Sequence, residues 1–457
     1  MRRFLMVQFL VGIMVGTIVL QAKAFDPPDS VPPTMDSASQ GERASLRRLS
    51  ESITWVRRAI VAMRLERYRD ETSLNLLMKL AKDPSWQVRC YAIRSLARCG
   101  ESVPEDFFAL EQEPRVVRAI LRHRYTYDVT RLARGMKVLV RSNQLNDKIL
   151  ACELGVVSGD EKLFELAKET TKTVILRMGR IEAGALSPRL AYLTGQKDMR
   201  KHYRWHDWVL KSGRRFAVHA RYSLGTTTQD LAPSLLATLP SDRFIALEDY
   251  LATLGKRKLD LAIVLDCTAS MAQELAQAQG GIDDMMMFVS DVVADLRIAI
   301  IGYRDRQDEF KTKAWDFTSS LETARKQLWQ LTAEGGGDNP EAVQDALELA
   351  YTKLSWRKDS DKTLVLVGDA PPHVGRGTSC INMAKRAHDI AELLTHVIQA
   401  AGKDVKHFPE IAEAGGGQCV TLEDGDSLIA QITGLTLGDA FEEEFQEFFR
   451  VYLELCR

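Results

Sequence analysis

The 457-residue chain lacks the short patterns that announce common enzyme classes: HExxH, GxSxG and GxxxxGK[ST] are all absent. Its glycine-rich stretch GGGDNPE (335–341) has neither the lysine nor the hydroxyl that lets such a loop grip phosphate. The seven cysteines (90, 99, 152, 267, 380, 419 and 456) form no CxxC pair, and most sit inside apolar patterns, so buried thiols are expected and a disulfide framework is not. After residue 24 no apolar run is long enough to span a bilayer.

The segment that is apolar has a different character. Arg2 and Arg3 precede FLMVQFLVGIMVGTIVL, and AKA stands before Phe25. This is the tripartite pattern of a secretory signal with cleavage after Ala24, the alternative being an uncleaved anchor. Residues 25–41, rich in Pro, Ser and Asp, then read as a linker. The expected location is the periplasm, cell envelope or extracellular space, with no transmembrane segment in the mature chain.

The formal net charge of -1 conceals two opposed halves. Residues 41–255 carry 37 Lys+Arg against 25 Asp+Glu, a balance of +12, while residues 256–457 carry 21 against 34, a balance of -13. Such halves suggest different partners or mutual attraction. Export argues against nucleic acid as the partner of the basic half, and solvated Arg-rich helix faces are the plainer reading.

The basic half contains a weak repeat. Val-Arg pairs begin at 56, 88 and 117, each opening an apolar helix stripe. Spacings of 32 and 29 residues point to helical hairpins that bury their apolar faces only against neighbours. LLMKLAKDPSWQVRCYAIRSLARCG (76–100) resembles a HEAT repeat: a helix, a DPSW turn and a second helix. We expect a HEAT-like domain over 42–211, with Trp205 and Trp208 closing its end; the alternative is a plain helical bundle. Residues 212–257 read as a connector. Few apolar contacts are expected to cross it, so the halves should be separable.

From 258 onward buried strands alternate with helices: LDLAIVLD, RIAIIGYRD and TLVLVGDA are the strands, and KTKAWDFTS is an edge strand. That alternation implies a doubly wound, Rossmann-like α/β sheet whose ligands bind beyond the carboxyl ends of its strands. Loops at that end carry Asp266, Thr268 and Ser270, then Asp338, then Asp369. Carboxylates and hydroxyls suit a hard cation, so Mg2+ is expected, with Mn2+ or Ca2+ as alternatives. Each residue also has a plainer reading. Thr268 and Ser270 could cap a helix, Asp338 and Glu341 have capping-box spacing, and Asp369 precedes two prolines in a turn. RDRQDE (304–309) reads as a solvated turn.

Residues 258–436 resemble a von Willebrand factor type A domain, whose metal-ion-dependent adhesion site uses an Asp-x-Ser-x-Ser turn, a threonine from a second loop and an aspartate from a third. The match is to a subgroup marked by DxTxSM, GYRDR, DFT, GGGDxPE and DAPPH, present here at 266–271, 302–306, 316–318, 335–341 and 369–373. The resemblance implies direct coordination by Thr268 and Ser270, with Asp266 and Asp369 acting mainly through water. Asp338 replaces the family's usual threonine. Residues 437–457 are left as a C-terminal helix. The resemblance implies a non-catalytic, exported adaptor that binds an unidentified partner protein through the ion, with the helical array as a second docking surface. The alternatives are a scaffold with a stabilising metal, or an enzyme using Cys267 with His373.

Overall fold

The computed structural model describes residues 37–101, 111–122, 129–199, 201–219, 234–306, 308–336, 340–400, 404–422, 428–437 and 440–456. The proposed signal and most of the linker lie outside them. Helices come first: α1 (Gln40–Ser50), α2 (Trp55–Leu65), α3 (Glu71–Leu80), α4 (Trp86–Arg98), α5 (Pro114–Arg122), α6 (Val129–Arg141), α7 (Leu145–Val157), α8 (Glu161–Arg177), α9 (Arg180–Thr194) and α10 (His202–Ser212). Several start on a side-chain cap. Asp70 accepts from Ser73 N at 3.1 Å and Asp160 from Leu163 N at 2.9 Å, satisfying N–H groups that have no partner inside the helix.

The Val-Arg pairs fall within α2, α4 and α5, where Val56, Val88 and Val117 are buried. Arginines on these helices reach acids in the next unit: Arg58 pairs with Asp83 at 2.7 Å, Arg89 with Glu111 at 2.9 Å and Arg118 with Asp147 at 2.8 Å. The sequence repeat is thus also a ladder of ion pairs. At the far end Trp205 is fully buried, donates Nε1–H to Ser187 Oγ at 2.8 Å and packs in a cluster with Leu186, Leu190 and Phe216.

Residues expected as connector include α11 (Leu235–Thr238) and α12 (Ser241–Leu254). The second turns back onto the start of the array. Glu248 bonds both Ser45 and Arg48 at 2.6 Å, and buried Phe244 lies under the guanidinium of Arg64 at 5.0 Å.

The α/β region follows as β1 (Lys258–Asp266), α13 (Ala272–Val292), β2 (Asp295–Tyr303), β3 (Thr312–Thr318), α14 (Leu321–Leu328), α15 (Val343–Lys353), β4 (Asp361–Gly368), α16 (Gly377–Ala391), β5 (Leu393–Gln399), α17 (Phe408–Ala414), β6 (Gly416–Thr421), α18 (Leu428–Leu437) and α19 (Glu442–Cys456). The sheet order is β3-β2-β1-β4-β5-β6, parallel except for β3 at one edge. Because the chain leaves β1 for β2 on one side and returns at β4 on the other, the sheet has its switch point between β1 and β4.

Alternate residues of β1 feed two cores. Ala262 and Val264 face a cluster with Val343, Leu347 and Phe408, whereas Leu261, Ile263 and Leu265 face one with Ile282, Phe288 and Ile429. The second core does not stop at the domain. It continues through α19 into the helical array: Phe448 stacks on Tyr91 at 4.7 Å and on Phe288 at 5.5 Å, while Tyr452 packs on Trp55 at 5.5 Å. The expectation of few crossing apolar contacts therefore gives way to a shared aromatic seam, with α19 as its middle layer. Among the described residues no helix is long and apolar enough to cross a membrane.

Candidate metal centre

β1 delivers Asp266 to the carboxyl end of the sheet beside Tyr303 of β2, its register partner. The chain then turns sharply. Asp266 Oδ1 accepts from both Thr268 N at 2.8 Å and Thr268 Oγ1 at 2.7 Å, and Thr268 Oγ1 lies 3.2 Å from Ser270 Oγ. This Asx turn gathers one carboxylate and two hydroxyls. Thr268 makes no side-chain cap on the short 3-10 turn that follows, and α13 itself starts after Met271, so the helix-capping reading of Thr268 and Ser270 does not hold.

Asp369 follows directly after β4, next to β1 across the switch point. Its charge and that of Asp266 act on each other. Asp338 lies outside the described residues. A different acid from the same loop is well placed: Glu341, read in the sequence as a capping-box partner, is 3% exposed and feels the charges of Asp266, Asp305, Asp308 and Asp369. Its backbone N–H donates to Pro371 O at 3.0 Å, and it forms a parallel bridge with Pro372. The loop comes close to the Asx turn at Gly336. A Cβ there would sit 2.8 Å from Thr268 Cβ and 3.3 Å from Glu341 Oε1, and φ is +76°, so glycine meets both demands.

Electrostatics sets this cluster apart. Burial, with smaller help from Asp369, pushes the Asp266 carboxyl up to about 7 against the opposing hydrogen bonds from Thr268. Burial and then the charges of Asp266, Asp305, Asp308 and Asp369 push Glu341 up to about 8. The Tyr303 hydroxyl is raised well above 10 by burial and by Asp266, Glu341 and Asp369. Asp266 Oδ2 and Glu341 Oε2 are both sealed from solvent without a well-formed hydrogen bond, although the Tyr303 hydroxyl is near enough to the Asp266 carboxyl to favour its charge. A buried carboxylate oxygen left in that condition is costly unless a proton or a cation reaches it.

The segment read as a solvated turn proves partly structural. Arg304 is 2% exposed and donates to Cys267 O at 3.2 Å, Thr332 O at 2.6 Å and Thr332 Oγ1 at 2.7 Å, tying the Asx turn to the glycine-rich loop. Asp305, also buried, has His373 Nε2 at 3.1 Å from its Oδ1. His373 Nε2 makes no hydrogen bond in spite of that proximity, and burial pushes the Cys267 thiol up to about 12, which disfavours its thiolate. Asp316 of the DFT motif is structural too, accepting from Ser355 N at 2.9 Å and Ser355 Oγ at 2.6 Å.

Among the described residues no three Asp, Glu, His or Cys side chains converge closely enough to hold a metal by themselves. The candidate donor set mixes carboxylates with the two hydroxyls, and two of its buried oxygens lack a well-formed hydrogen bond. That is the chemistry a hard cation requires.

Residues 260–424 match the family model of the von Willebrand factor A domain. A RING finger protein of Acanthamoeba polyphaga mimivirus, described as ariadne-like, is 34% identical over 116 residues, which is 25% of this chain and 11% of that protein. Solved structures that align with it include proximal thread matrix protein 1 of the mussel byssus, with a zinc-occupied MIDAS motif, at 15% identity, TM-score 0.32, 48% of this chain and 51% of that one. Another is the pilus adhesin SpaC of Lactobacillus rhamnosus GG, at 10% identity, TM-score 0.33, 43% of this chain and 30% of that one. Behind its helical N-terminal region, this chain carries a von Willebrand factor A domain.

Proposed function

We propose that the protein is an exported, non-catalytic adaptor that binds a partner protein through a divalent cation at the carboxyl end of β1 and β4. Thr268 and Ser270 would hold the ion with their hydroxyls, and Asp266, Asp369 and Glu341 would supply charge directly or through water, with Asp338 from the same loop. The oxygen donors favour Mg2+, or Mn2+ or Ca2+. When bound, the ion supplies a coordination position for a carboxylate of the partner. The chain's own part is to fix the hydroxyls through the Asx turn and to keep solvent from the carboxylates beneath them.

The observation that carries this reading is the pair of sealed oxygens without a well-formed hydrogen bond, Asp266 Oδ2 and Glu341 Oε2, beside two hydroxyls that cap nothing. The array, read as HEAT-like, offers a second docking surface. Titration of the chain with Mg2+, followed by capture of partners from an envelope extract with and without chelator, tests the proposal. Binding of Mg2+ that Thr268→Ala weakens at least tenfold without lowering the unfolding midpoint supports it; unchanged affinity removes the site. Partners retained equally in chelator would instead make the metal a stabiliser of a scaffold.

A further inference from the structure

The end of the helical array has a surface that the cation site leaves unused. Within α10, Trp205 and Val209 are buried against the terminal core, while Tyr203 is 50% and Leu210 is 70% exposed on the opposite side. They are seven residues apart, two turns along one face. Arg204 and Lys211 share that spacing in the adjoining stripe, and Arg215 follows in the short turn Gly213–Arg215. Arg204, Lys211 and Arg215 line a groove together with Met199 and Trp208.

The charges here are held unlike those between the packed units of the array. Arg58, Arg94, Arg98 and Arg118 are each committed to a buried acid. Arg204, Arg214 and Arg215 are exposed and make no ion pair with a described residue, and Lys211 reaches only the exposed Asp207 at 3.7 Å. Residues 195–219 hold seven Lys+Arg and two Asp+Glu.

We propose that this face docks on an anionic lipid surface. Free cations alone would fit an acidic polypeptide equally well. The neighbouring apolar side chains favour lipid, because an interfacial helix places aromatic and aliphatic groups at headgroup level between basic residues. Eleven large hydrophobic side chains are exposed among the described residues, and two of them, Tyr203 and Leu210, stand on this single helix beside its basic stripe. The docking depends on charge and needs no divalent ion, so it stands or falls independently of the β1 site.

Residue-resolved lysine acetylation of the full chain, in chelator at low salt, tests the proposal. Phosphatidylcholine vesicles containing phosphatidylglycerol should lower the reactivity of Lys201 and Lys211 at least fivefold, with pure phosphatidylcholine doing nothing and Lys385 unchanged in both. The apolar segment at 4–20 is common to every variant and cannot mimic this local protection. Because one surface cation contributes about fivefold in affinity, the Arg204→Gln/Lys211→Gln/Arg215→Gln variant should bind about a hundredfold more weakly and lose Lys201 protection. Leu210→Ser should cost severalfold. Three results would overturn the proposal: no protection on anionic vesicles, protection undiminished in the triple variant, or equal protection by soluble polyglutamate, which would assign the face to an acidic polypeptide.

Discussion

Two aspartates on β1, six residues apart, are both buried and live in opposite fields. Asp260, near the amino end, accepts from Arg297 at 2.9 and 2.6 Å, from Arg357 Nε at 2.9 Å and N at 2.8 Å, and from Ser360 Oγ at 3.1 Å. Burial works against its charge, but these bonds outweigh it and hold the carboxyl below the ordinary aspartate value. Asp266, at the other end, has two bonds from Thr268 on one oxygen and no well-formed one on the second, and it is pushed up. Buried charges of the array are matched in the same way, as Arg64 is by Glu42 and Arg118 by Asp147. A buried charge matched by the protein holds the fold together; one left unmatched calls for a proton or a cation.

Breaking the matched end should give the largest effect. Asp260→Ala strands two guanidinium groups, and losing one partner of a buried pair costs about 3–5 kcal/mol. Arg297 and Arg357 keep 23% and 18% of their side chains exposed, so we expect the lower end of that range in urea unfolding. A loss below about 1 kcal/mol would show that the pairs are incidental. The same residue sets a pH test. With a folded value below its unfolded one, Asp260 stabilises above about pH 4 and loses that contribution as pH falls through the lower folded value. The acid limb of the stability curve should therefore be shallower in Asp260→Asn than in the parent.

At the unmatched end the sign should reverse. In chelator, Asp266→Asn removes a buried charge that lacks a counter-charge, so stability should rise by roughly 1 kcal/mol. With Mg2+ at a hundredfold over its Kd the parent alone should gain, by about 2.7 kcal/mol. The order of the two melting temperatures should thus cross between chelator and Mg2+. Parallel shifts would mean that the ion does not use Asp266.

How much of this was legible depended on how local the signal was. Asp266, Thr268 and Ser270 could be read because their spacing in a turn after a buried strand is itself the geometry. The strand alternation was legible for the same reason. Glu341 was hidden because DNPE has the spacing of a helix cap, and only the approach of the loop to Thr268 at Gly336 shows that its side chain turns inward. Arg304 and Asp305 were misread since RDRQDE is polar throughout, and its burial comes from neighbours distant in sequence. The aromatic seam was illegible too. Trp55, Tyr91, Phe288, Phe448 and Tyr452 each sit in a helix whose apolar stripe looks self-sufficient, and periodicity does not say which stripe meets which.

Glu341 sharpens the comparison on a smaller scale. Its charge lies within the influence of Asp266 and Asp369, so Glu341→Gln should lower Mg2+ affinity about tenfold, or about 1.4 kcal/mol. An unchanged affinity measured by calorimetry would restrict Glu341 to holding the loop.

The smallest effect is expected at Asp338, three residues before Glu341, where the resembling family has a threonine. A partner's carboxylate binds best to an ion that its own ligands leave electron-poor, which neutral hydroxyls favour. Two acids from one loop would satisfy the ion more fully, so the site should hold metal well and draw an external carboxylate weakly. One Coulombic contact at about 4 Å amounts to roughly 1 kcal/mol in water and about 4 near a protein surface. With Glu341 still present to share the charge, removing Asp338 should shift affinities only severalfold. Asp338→Thr should then weaken Mg2+ binding while strengthening metal-dependent binding of an acidic peptide, both read at one ionic strength. If Mg2+ affinity stays at the parent value, Asp338 does not act on the ion, and the charge beneath the hydroxyls belongs to Asp266, Asp369 and Glu341.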